Sequence, residues 1–245
     1  MQLSKKPHNH QVWTIVWFDG IDFWWKTSLA TKLVEILAAQ WIQATLLKCS
    51  PENLWKNKER YEGHKKLIAS TEQWIVTKCM TKRAYMLHYL HAIELPQLEK
   101  AKELKAKWQV VILDRSIVSF VVNRGRDIWL NEKDIDWFRQ YLSEKEWMLT
   151  PDIYVHVTAD EDMLLERATT PDDWEISLVD EATLTNIPET LARYQTFYSG
   201  ELATCLKTSP IVTIDTSNIR HMRKEPIDHK LDELILFIKN SLSKS

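Results

Sequence analysis

Five short runs constrain this chain more than anything else in it: "VWTIVWF" (Val12 to Phe18), "IQATLLKC" (Ile42 to Cys49), "QVVILDR" (Gln109 to Arg115), "DIYVHVTA" (Asp152 to Ala159) and "IVTIDT" (Ile211 to Thr216). A strand with one face in water alternates apolar and polar residues, whereas these runs have few polar interruptions. They are therefore expected to be buried on both faces. Helical patterns separate them. From Thr27, Leu29, Leu33, Ile36 and Leu37 recur at helical spacing to about Gln40. Residues 58–107 read as two or three helices, with Pro96 expected to break or kink the run. Further helices are expected around 131–145 and 185–205, and a last one from Leu231 to Leu242 packing by Leu231, Leu234, Ile235 and Ile238. Strands alternating with helices predict an α/β fold: a five-stranded parallel sheet in three layers, with helices on both faces.

No repeat, low-complexity linker or composition shift divides the 245 residues, so one domain over 1–245 is expected. The stretch Thr169 to Asn186 is acidic and turn-rich and reads as a flap, and "LEKAKELKAK" as a solvated helix face held by i,i+4 pairs. A net charge of -2 with 27% charged residues excludes an overall basic field, so nucleic acid is not the expected partner. No apolar stretch approaches the ~20 residues that span a bilayer. Cys49, Cys79 and Cys205 are odd in number and far apart, and the N-terminus has no apolar leader, so a reduced, cytoplasmic setting is expected. His88 and His91 stand i,i+3 without a carboxylate or cysteine cluster, and are not read as a metal site.

The chemistry concentrates where the first strand meets the first helix, in "FDGIDFWWKTSLATKL" (Phe18 to Leu33). Strand, turn, Lys-Thr and helix is the context of a phosphate-binding loop of pattern GxxxxGK[ST]. In such a loop backbone N–H groups cradle phosphates, the lysine meets the outer phosphates and the hydroxyl binds Mg²⁺. Gly20, Lys26 and Thr27 fit at the right spacing in a loop of 19–28 that takes in Ser28 as a further binding candidate, but Trp25 occupies the second glycine. Asp19 at the strand mouth is a further acidic candidate.

This stretch resembles the opening of the thymidylate kinase and deoxynucleoside kinase group of P-loop kinases. "VVILDRSIVS" resembles the group's strand-end Asp-Arg motif, and "TPDIYVHVTADEDMLLERA" its Pro-Asp strand and the helix leading into the lid. "ARYQTFY" and "IVTIDTSN" resemble its closing helix and final strand, so the likeness spans nearly the whole chain in order. The resemblance implies transfer of the γ-phosphoryl group of ATP, with Mg²⁺, to a nucleotide or nucleoside, dTMP being the expected acceptor, in a homodimer. It further implies that Lys26 holds the β- and γ-phosphates, Thr27 and Asp114 serve the metal and Asp22 meets the sugar hydroxyl. Arg115 would clamp the acceptor with Ser119 and Arg124 nearby, and Arg167 would be the first cation of a lid at 168–186. Thymidylate kinases follow Asp-Arg with an aromatic residue and later carry Tyr-Gln-Gly; here Ser116 and Asn123-Arg124-Gly125 stand in those places. Ser116 leans toward the nucleoside kinases. A deoxynucleoside kinase and a non-catalytic nucleotide binder therefore remain the alternatives.

Composition bears on the loop. Average usage of about 7% predicts roughly 17 glycines in a chain this long, whereas this one holds 4 Gly and 12 Trp. Glycine at 24 and 25 would restore GIDFGGKT, an intact pattern. Trp41, Trp108 and Trp147 also stand at glycine-like places near element ends. UGA is read as glycine in some bacterial lineages and as tryptophan in others, so a glycine codon translated as tryptophan is the expected origin. Divergence to an inactive homologue and deliberate engineering are the alternatives.

Overall fold

The computed structural model describes residues 14–20, 26–48, 81–89, 95–105, 107–114, 132–143, 151–169, 187–199, 209–219 and 227–243. Five parallel strands, β1 (Thr14–Gly20), β2 (Ala44–Lys48), β3 (Val110–Asp114), β4 (Ile153–Thr158) and β5 (Ile211–Asp215), form one sheet in the order β2-β3-β1-β4-β5. Its register runs through β1, where Val16 faces Ile112 on one side and Ile153 on the other. The helices are α1 (Lys26–Ala39), α2 (Lys82–Tyr89), α3 (Leu95–Lys105), α4 (Glu132–Ser143), α5 (Glu161–Thr169), α6 (Ile187–Ser199) and α7 (Asp232–Ser243), and a 3₁₀ turn (Asp228–Leu231) precedes α7.

Every residue of β1 and β3 is buried, as runs with few polar interruptions predict. On one face Val16, Phe18, Val110, Ile112, Val155 and Val157 pack against Leu29, Leu33 and Leu37 of α1 and Leu234, Ile235 and Ile238 of α7. Strand side chains alternate between faces, so Ile15, Trp17 and Asp19 of β1 and Tyr154 and His156 of β4 lie on the opposite face. Right-handed crossovers put α3 on that second face, because the chain moves outward from β1 to β2 and returns from β2 to β3. Leu98 and Ala101 of α3 are buried there.

Three expectations shift at their edges. β1 does not end at Phe18 but continues through Asp19 and Gly20, because β4 supplies a paired residue as far as Gly20↔Val157. Pro96 falls at a helix start, not inside one: it is the second residue of α3, where its fixed torsion suits the first turn and its missing N–H costs nothing. Leu231 closes the 3₁₀ turn rather than opening the last helix. The side chains of His88 and His91, together with residues 170–186 of the flap, lie outside the described residues.

Candidate active site

The site sits where β1 ends and α1 begins, at the C-terminal edge of the sheet. Gly20 has a φ of +146°, and a Cβ added to it would meet the Val157 carbonyl oxygen at 2.3 Å. Both facts require glycine there. Six residues on, Lys26 is buried, and its Nζ donates to the Gly20 carbonyl at 2.6 Å. The lysine is thus tied back to the end of β1. No acidic residue occupies the first turn of α1, so that turn carries no negative charge of its own to compete with an anion at its positive end. Thr27 and Ser28 follow on that turn, both exposed.

Asp114 ends β3. It shares the parity of Val110 and Ile112, so it belongs to the face covered by α1. There the Thr27 hydroxyl donates to its Oδ2. The other oxygen, Oδ1, is buried without a hydrogen-bond partner, an expensive state for a carboxylate oxygen. A hydroxyl and a half-satisfied carboxylate fit Mg²⁺, a hard cation that is bound through one or two carboxylates together with waters and substrate phosphates. Among the described residues no cluster of three His, Cys, Asp or Glu side chains could hold a metal by itself, and Mg²⁺ in such a site does not need one.

On the second face, Asp19 and His156 are register partners on β1 and β4, and Trp17 and Tyr154, one pleat earlier, form an edge-to-face pair at 5.5 Å. Asp19 is fully buried. Burial, reinforced by the Lys26 charge, pushes the His156 imidazole down to about 4, so it is neutral at neutral pH. Burial, reinforced by Asp19, holds the Tyr154 phenol well above its usual value. His156 was not singled out in the sequence. Its signal was a lone histidine between two valines in an otherwise apolar strand.

Arg167 is in the last turn of α5, and its guanidinium turns to the chain leaving β5. It donates to the carbonyls of Thr216 and Ile219, each at 2.5 Å, and to the Thr216 hydroxyl at 3.2 Å. In the same turn the Asp215 carboxylate accepts from the Ser217 amide and hydroxyl. Those bonds, with Lys230 and Arg167 nearby, hold Asp215 below the usual carboxylate range despite partial burial. Asp152, of the Pro-Asp pair, accepts from the Ile15 N–H at 2.7 Å and ties the start of β4 to β1. The structure therefore brings Gly20, Lys26, Thr27 and Asp114 together and places Arg167 at the β5 exit. Asp22, Trp24, Trp25, Arg115, Ser119 and Arg124 lie outside the described residues.

A groove of about 330 Å³ between α1 and α7, lined by Ile36, Gln40, Asp232 and Leu236 among others, is a poor rival. At 1.5 Å per helical residue it begins roughly 15 Å from Lys26, toward the far end of α1.

No family model and no curated protein sequence matches the chain. Among solved structures it is similar to the thymidylate kinase of Candida albicans, with a TM-score of 0.55 and 19% identity over 94% of each chain. At that identity the likeness supports the architecture: a five-stranded parallel sheet with helices on both faces, as in that kinase. No helix among the described residues is long and apolar enough to cross a membrane.

Proposed function

We propose that the chain transfers the γ-phosphoryl group of ATP to a nucleoside monophosphate, converting dTMP to dTDP. The observation that carries this reading is the juxtaposition of Thr27 on Asp114, with Lys26 buried against Gly20 beside them. A hydroxyl, a carboxylate and an ammonium at the mouth of a parallel sheet are what phosphoryl transfer asks of a protein, since its catalysis is mostly positioning and charge stabilisation. An oxygen of the acceptor phosphate attacks the γ-phosphorus, a new P–O bond forms as the bond to the β-phosphate oxygen breaks, and ADP leaves. Lys26 exchanges the Gly20 carbonyl for the β- and γ-phosphate oxygens. Thr27 and Asp114 would hold Mg²⁺, which supplies neutralisation of the phosphate charge. Asp22 is assigned the sugar hydroxyl, and Arg115 the acceptor, with Ser119 and Arg124 beside it. Arg167, held on Thr216 and Ile219, is assigned as the first cation of the lid. A homodimer, a single kinase domain and a cytoplasmic setting belong to the same reading.

Glycine at 24 and 25 is part of the competent site. A phosphate loop needs close backbone approach at its second glycine, and an indole at 25 would stand beside or inside the anion pocket. The test is a coupled assay on the Trp24→Gly, Trp25→Gly chain, with ATP and Mg²⁺, across dTMP, thymidine and deoxycytidine. Fastest turnover of dTMP is expected. Faster turnover of a free nucleoside would make the chain a deoxynucleoside kinase, and ATP binding with no acceptor turned over would make it a nucleotide binder.

A further inference from the structure

We infer that positions 24, 25 and 41 are glycine in the protein as its own cells make it, and that the indoles there arise from a glycine-assigned UGA codon read as tryptophan. The 24 and 25 arm rests on the phosphate-loop reading. The arm at 41 does not.

Position 41 ends α1. The Ile42 N–H donates to the Leu37 carbonyl and the Trp41 N–H to the Ala38 carbonyl, both at 3.0 Å. These are the 6→1 and 5→2 bonds of a Schellman motif, whose residue before last takes left-handed torsions and is most often glycine. Trp41 is that residue, with a φ of +63°, the only positive φ at a non-glycine position among the described residues. Its indole gains nothing in return: at 94% exposure it is the most solvent-exposed large apolar side chain described. A left-handed torsion and a bare indole at the same position are two independent penalties, and glycine removes both.

Other tryptophans behave differently. Trp137 stacks on Tyr141 with centroids 5.7 Å apart and lies under the Arg83 guanidinium at 5.1 Å. Arg83 also pairs with Asp134, which joins α2 to α4 through that indole. Glycine there would empty the contact and weaken a helix interior. Trp108, glycine-like in sequence, is half-buried with an ordinary torsion and needs no glycine. The described tryptophans thus divide by environment, and the division predicts the codons at 41 and 137.

The experiment has two readouts, neither of which involves kinase activity. In the gene, codons 24, 25 and 41 should be UGA and codon 137 UGG. In the expressed chain, Trp41→Gly should raise the thermal midpoint by roughly 2–4 °C, whereas Trp137→Gly should lower it. UGG at any of 24, 25 and 41, UGA at 137, or a midpoint left unchanged or lowered by Trp41→Gly overturns the inference. Because both readouts concern coding and stability, the kinase reading can fail on its own assay without disturbing them.

Discussion

His156 shows how much one residue depends on where the sheet puts it. In the unfolded chain its imidazole takes up a proton near its ordinary value of 6.5; in the folded protein it does so only at about 4. Between those values the unfolded state binds more protons, so stability falls as the pH drops from about 6.5 to about 4 and is fully present above that window. The contribution is on the order of 3 kcal/mol. Thermal midpoints measured across this range should fall on the acid side, and His156→Gln should flatten the fall; an unchanged profile would mean that the imidazole is not the group responsible. Asp114 makes the complementary case. Asp114→Asn keeps the shape but removes the charge facing Thr27, and Mg²⁺-dependent turnover of the glycine-restored chain should drop by roughly 10²–10³-fold, the usual loss when one stabilising group is removed from a charged transition state. Equal turnover would take Asp114 out of the metal site. Lys26 and Thr27 were legible in the sequence because the phosphate-loop pattern fixes their spacing, and Asp114 through the resemblance of its strand end to an Asp-Arg motif. His156 was not, because its lowered pKa comes first from burial in the sheet and then from Lys26, which belongs to a different element.

At the scale of elements, interiors were readable and ends were not. Apolar runs announced all five strands, since burial on both faces leaves no polar alternation to confuse the pattern. Ends are decided by partners: β1 runs on to Gly20 because Val157 is there to pair with it, although Asp-Gly reads locally as a turn. That pairing, with a φ of +146°, makes Gly20 hard to replace. Gly20→Ala would drive a methyl into the Val157 carbonyl between two central strands, and the chain should lose more than about 2 kcal/mol in denaturant unfolding, at the upper end of ordinary single substitutions. A loss under about 0.5 kcal/mol would show that the strand ends can part. Arg167 teaches a different lesson. The resemblance implies the first cation of a lid, and the fold adds that its guanidinium holds two carbonyls that follow β5.

For the molecule as a whole, the sequence announced parallel strands but not their order, since β2-β3-β1-β4-β5 is set by crossover handedness and packing between distant segments. That order puts β1 and β3 side by side, so that Thr27 at the start of α1 meets Asp114, 87 residues later in the chain. The sheet and the phosphate loop therefore make separate demands. The strands and α1 carry their own apolar patterns and should form whatever stands at 24 and 25, whereas phosphate binding needs the backbone of those two positions. Three proteins separate the demands: the chain as written, the Trp24→Gly, Trp25→Gly variant, and that variant with Lys26→Ala. All three should show similar far-ultraviolet circular dichroism and cooperative unfolding. Only the double-glycine protein should bind ATP and turn over dTMP well, and Lys26→Ala should abolish that turnover by removing the cation at the transferred phosphate. Equal, robust activity in the first two proteins would mean that the loop tolerates indoles where close backbone approach is required, and the phosphate-loop argument would fall with it.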